Sequence, residues 1–77
     1  MISLNTLKEG SRGRIVRLAE GSRAYRAKLL SMGVTPGTEF SVVRYAPLGD
    51  PIELEIRGYR LSLRRAESEV VLVEAEG

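Results

Sequence analysis

Apolar and charged residues alternate most regularly at Ile52, Leu54 and Ile56, which are separated by Glu53 and Glu55 and followed by Arg57. A period of two places the three apolar side chains on one face of a strand and the charges on the other. Leu61 and Leu63 repeat the pattern after a short break. A slip of one residue would exchange the two faces and bury the charges, so the pairing of these segments is well specified. The same reading predicts strands over 13–18, 38–46, 52–57, 60–64 and 69–74. Val70 to Val73 is continuously apolar, which fits a strand covered on both faces.

One segment follows the helical period instead. Over 23–32, Tyr25, Leu29 and Met32 fall on one narrow stripe, the face expected to dock on the sheet. Leu30 lies roughly 100° away from the Leu29 direction, among Arg23, Arg26 and Ala27. Either the sheet wraps far enough to cover Leu30, or a leucine ringed by basic groups faces a partner. Ser22 is the expected N-cap, its hydroxyl accepting from a free N–H of the first turn. Arg23 and Arg26 sit at the positive end of this helix, where a cation is unfavourable by about 0.3–1 kcal/mol. Places where a local rule is broken are places to look for a binding surface. Arg23, Arg26 and Leu30 are therefore the candidate partner-binding residues, a basic-rimmed apolar spot for an acidic partner.

The turns are written out in the sequence. Gly33 closes the helix, and Pro36-Gly37 suits a type II turn, with proline presetting φ and glycine accepting a positive φ. Gly49-Asp50-Pro51 marks a second reversal, and Arg57-Gly58-Tyr59-Arg60 is expected to close a hairpin of the II′ kind. About five short strands joined this tightly are too few for a sandwich and fit a small, partly open barrel carrying one helix.

From Leu29 to Glu67 the combination of LLSMGVTPGTEF, GDP and GYRLSLR resembles the ferrous iron transport protein A (FeoA) family. Leu4, Leu7, Gly10 and Gly13-Arg14-Ile15-Val16 are similar to that family's opening helical turn and first strand, and Glu69 to Val73 to its closing strand. The resemblance implies a single SH3-like domain over residues 1–77, mainly β, with one α-helix and a short N-terminal helical turn. It also implies a non-enzymatic accessory of ferrous iron uptake that docks on a membrane permease carrying a GTPase domain. Such a protein would be cytoplasmic, peripheral to the inner membrane through its partner and not itself inserted. A family-level association with transition metals comes with the resemblance. Open barrel edges would also allow self-association.

Composition narrows the chemistry. A chain of 77 residues is one domain with a thin core, and a large catalytic cleft is not expected. The absence of cysteine excludes disulfides and thiolate metal sites and is compatible with a reducing cytoplasm. The opening Met1-Ile2-Ser3-Leu4 lacks the features of a signal peptide, and no apolar run approaches the ~20 residues of a membrane span, so the chain is expected to be soluble and unprocessed. Charge is uneven: seven basic residues against two acidic ones in 1–30 leave +5, and five arginines against eight acids in the remainder leave −3. Such a basic half could steer the protein toward an acidic surface, nucleic acid or anionic lipid, or form an ordinary solvated face.

No histidine or cysteine is present, and neither GxSxG nor GxxxxGK[ST] occurs, so no catalytic residue is expected. Of the usual ligands for ferrous iron or zinc only carboxylates remain, with Glu53 and Glu55 on one strand face and Glu74 and Glu76 together if the last strand continues. Pairing of these acids with Arg57, Arg60 or Arg64 is the simpler expectation; no cofactor and no specific metal site is expected, and any Fe2+ or Zn2+ would be held weakly. The alternative function is a small barrel binding nucleic acid through its basic half. That would require exposed rings among basic residues, whereas Tyr25 and Phe40 read as structural, so no nucleic acid is expected. The SH3-like tail domain of metal-dependent repressors is a second resemblance; those proteins carry a helix-turn-helix upstream, for which 77 residues leave no room, so the stand-alone accessory is the expectation.

Overall fold

The computed structural model describes residues 1–21 and 23–76. Its elements are β1 (Ile2–Ser3), a short 3-10 turn (Leu4–Thr6), β2 (Arg12–Leu18), α1 (Arg23–Ser31), β3 (Glu39–Tyr45), β4 (Ile52–Ile56), β5 (Tyr59–Leu63), α2 (Arg65–Glu69) and β6 (Val71–Ala75). All strand pairs are antiparallel, in the order β1-β6-β2-β3-β4-β5, so the sheet is open, with β1 and β5 at its edges. The fold is the mainly β one expected. The predicted strands and helix are found with ends shifted by one or two residues.

Two elements escape the periodicity reading, and one turn is corrected. β1 is only two residues long, too short to show any period, and brings the described strands to six. Residues 65–69 form α2 in place of the start of the last strand, which begins at Val71. The hairpin turn is Arg57-Gly58, with φ of 51° and 83°. Positive φ at both central residues is the signature of type I′, not II′, and matches the twist of the flanking strands. The type II turn at Pro36-Gly37 forms as expected, with Gly37 at φ 88° and the Thr38 N–H donating to the Thr35 carbonyl at 3.1 Å. Ser22, the expected N-cap, lies outside the described residues.

The alternation in β4 is realised in full: Ile52, Leu54 and Ile56 are buried and lie opposite Leu63, Leu61 and Tyr59 of β5. In β2 and β3 the register shifts between Ile15 and Arg17 and between Val42 and Arg44. The extra residues, Val16 and Val43, switch the parity of the buried side, so Ile15 and Leu18 are both inside. Bulges of this kind bend and twist a strand, which curls the sheet around its core. In β6, Val71 and Val73 are buried while Leu72 is half-buried, so its second face is covered only in part. Gly13 is required by close packing, because a Cβ there would lie 2.4 Å from the Glu74 carbonyl oxygen of β6 and 3.0 Å from the Phe40 ring.

Candidate partner-binding surface

α1 is fastened to the barrel at its C-terminal end. Leu29 is fully buried, and the helix closes in a Schellman motif: the Val34 N–H donates to the Leu29 carbonyl at 2.9 Å and the Gly33 N–H to the Leu30 carbonyl at 3.1 Å. Gly33 carries the positive φ (91°) that this motif needs. The phenol of Tyr59 on β5 donates to the Met32 carbonyl. Lys28 Nζ lies 2.6 Å from Glu67 Oε2 on α2. Of the predicted stripe, Leu29 is buried, Met32 half-buried and Tyr25 37% exposed.

The predicted site residues lie to one side of the buried Leu29 direction, roughly 60–120° around the helix from it. Arg23 and Arg26 are exposed, no acid occupies the first turn, and neither arginine forms an ion pair among the described residues. Leu30 is 44% exposed, so the barrel does not wrap around it. A second exposed apolar residue, Leu48, projects from the loop between β3 and β4 at 96% exposure. It was not singled out from the sequence, where it only precedes the Gly49-Asp50-Pro51 reversal.

Glu67 is the other group the sequence reading missed as a partner. Its carboxylate is buried, yet it accepts the Arg64 N–H at 2.9 Å as well as the ammonium of Lys28. Burial alone would raise its pKa. The hydrogen bonds from Lys28 and the Arg64 backbone, reinforced by the charges of Lys28 and Arg64, outweigh that and hold it below the usual carboxylate value. The signal was present as an acid three residues beyond Arg64, the spacing at which a side chain returns to the N-cap amide. The phenol of Tyr45 donates to the Leu7 and Asn5 carbonyls, and burial, with the nearby charge of Glu9, pushes its pKa up.

The acids considered for metal are spread out. Glu53 is engaged by Arg44 at 3.1 Å and Arg60 at 3.6 Å. Among the described residues no group of three or more His, Cys, Asp or Glu gathers as a metal ion would require. The charge asymmetry of the sequence is partly offset by the fold. Arg14 of the basic half pairs in register with Glu39 on one side and Glu74 on the other. The helix α1 keeps its positive character because no acid lies in its first turn. No helix among the described residues is long and apolar enough to cross a membrane.

A curled antiparallel sheet of this order defines a small SH3-like domain. The FeoA domain model matches residues 2–75, and the chain belongs to the FeoA domain family. It is 39% identical over 71 residues to the Fe(2+) transport protein A/Fe(2+) transporter FeoB fusion protein of Porphyromonas gingivalis, covering 92% of this chain and 8% of that protein. The chain thus spans only a small part of that relative's length. Its structure is similar to that of a FeoA-like protein from Clostridium acetobutylicum, with TM-score 0.87, 40% identity and coverage of 95% of this chain and 84% of the other. The fold is also shared with Stenotrophomonas maltophilia FeoA, described as a prokaryotic SH3 domain protein in complex with zinc, with TM-score 0.83, 22% identity and coverage of 96% and 91%.

Proposed function

We propose that this protein is a non-enzymatic, cytoplasmic accessory of ferrous iron uptake that docks on a permease bearing a GTPase domain. The observation that carries the reading is the similarity to a protein in which Fe(2+) transport protein A and the transporter FeoB are one chain. Fusion holds two modules at high effective concentration, which is useful only where they act together. The docking surface is the exposed side of α1, with Leu30 as apolar contact and Arg23 and Arg26 as its charged rim. Rim arginines speed encounter with an acidic surface, and burial of the leucine supplies affinity.

Direct binding to the purified permease, with and without guanine nucleotide, tests this. Removing a leucine contact worth about 1.5–3 kcal/mol when fully buried predicts at least ~10-fold weaker binding for Leu30→Glu. Arg26→Glu should act mainly through a slower association rate. Saturable binding that both variants leave unchanged would move the docking surface elsewhere. No binding in any nucleotide state, with the barrel folded, would remove the transport reading.

A further inference from the structure

β5 is the last strand of the sheet, and among the described residues no strand lies beyond it. Its register fixes where its backbone groups point. Ile56 faces Tyr59 across a two-residue turn, Leu54 faces Leu61 and Ile52 faces Leu63. The pair flanking such a turn is hydrogen bonded, and bonded pairs alternate from there. Tyr59, Leu61 and Leu63 therefore spend their backbone groups on β4, while Arg60 and Ser62 turn theirs outward. Neither outward pair finds a partner among the described residues, and both side chains are exposed. The row stops at Arg64, whose N–H goes to Glu67 and whose carbonyl accepts from Ser68. What remains is a short edge of two donors and two acceptors centred on Leu61.

β5 is short and carries one exposed charge, Arg60, but other protections of an edge strand are missing. β5 contains no proline, and the register shifts fall in β2 and β3 rather than at this edge. We propose that β5 pairs antiparallel with the β5 strand of a second copy of this chain, around a two-fold axis through Leu61. That axis sets Arg60 opposite Ser62 of the second copy and the reverse, so that all four backbone groups on each side are bonded. On the polar face, Arg60 passes over the short Ser62 side chain toward Glu53 of the second copy, which lies in register beside that serine. Arg60 already approaches Glu53 of its own chain at 3.6 Å, so the two copies build an alternating network with no like charges directly opposed. On the other face, Leu61, only half-buried in the single chain, meets its own copy. This self-complementarity is what a two-fold interface demands. The interface is smaller than the ~1,600 Å² of a standard stable complex, so the dimer is concentration-dependent. The inference is independent of permease docking, which uses α1.

Sedimentation equilibrium of the full chain from about 10 µM to about 1 mM tests the pairing. The expected result is a rise from monomer toward dimer mass. Ser62→Pro removes an outward donor while leaving every bond to β4 intact, and should weaken association by about tenfold or more. Arg60→Glu should weaken it similarly by facing Glu53 with a like charge, and the exchange Arg60→Glu with Glu53→Arg should restore it. Circular dichroism confirms the fold of each variant, and the charge exchange carries the test if Ser62→Pro does not fold. A chain that stays monomeric throughout overturns the proposal, as does a dimer indifferent to these substitutions. Loss of permease binding by Ser62→Pro in a monomeric protein would also overturn it, assigning the edge to a strand of the permease.

Discussion

Glu67 couples the two helices through one carboxylate: α2 is begun by its acceptance of the Arg64 N–H, and α1 is tied down by Lys28. Its pKa is lower folded than the ordinary value of 4.5, so the unfolded chain takes up its proton first as pH falls. The stabilisation is thus complete above about 4.5 and is lost as pH drops through the lower folded value. Glu67→Gln should cost about 1 kcal/mol near neutral pH, discounted for the exposure of Lys28, and lower Tm by about 4–8 °C. Thermal unfolding against pH checks the sign, because the gap between wild type and variant should narrow as pH falls below about 4.5. Leu30 and Leu48 illustrate the reverse case. Helical periodicity sets Leu30 off the buried stripe without deciding whether the sheet covers it, and no pattern marks Leu48; the structure leaves both exposed.

Among the elements, the two glycines closest to other groups should respond differently to a methyl. At Gly13 the obstacle is the backbone of β6, which cannot move without breaking the β2–β6 ladder. Gly13→Ala should therefore cost about 1–3 kcal/mol or more by overpacking, read as a lower denaturant midpoint. At Gly33 the nearest atom is the Tyr59 hydroxyl, the end of a side chain that can turn away, but the positive φ remains. Gly33→Ala should cost on the order of 1 kcal/mol, and it should also release the α1 end from β5, seen as faster amide exchange at Gly33 and Val34. The hairpin shows why turn chemistry was only partly legible. Gly58 marks the turn, but the left-handed conformation of Arg57 (φ 51°) is set by the twist of β4 and β5 and not by an asparagine or glycine at that position.

For the molecule as a whole, the segregation of charge along the chain is relieved at one point of the sheet. β2, which carries Arg12, Arg14 and Arg17, is inserted between β3 and β6, which bring Glu39 and Glu74 alongside Arg14. Among the basic residues of the first half, Arg23 and Arg26 on α1 have no acid in their helix's first turn. If Arg23 and Arg26 steer docking, the association rate with the permease should fall as ionic strength rises from about 0.05 M to about 0.5 M, where the Debye length shrinks below 10 Å. The dissociation rate should change less, and the Arg23→Glu/Arg26→Glu variant should lose the salt dependence. Stopped-flow or surface-binding kinetics at three salt concentrations separates the two rates.

The sequence by itself determined the parts whose physics is local: the alternation of β4 and β5, the Gly33 helix end, the type II turn at Pro36-Gly37, and through their combination the family. Only the tertiary structure decided the rest. β1 exists as a strand because β6 offers it an edge, α2 because Glu67 finds both Arg64 and Lys28, and the parity switches in β2 and β3 because the sheet must bend around its core. Which charges remain unopposed, and which leucines remain uncovered, likewise follows from which strands become neighbours, a matter of contacts between residues far apart in the chain.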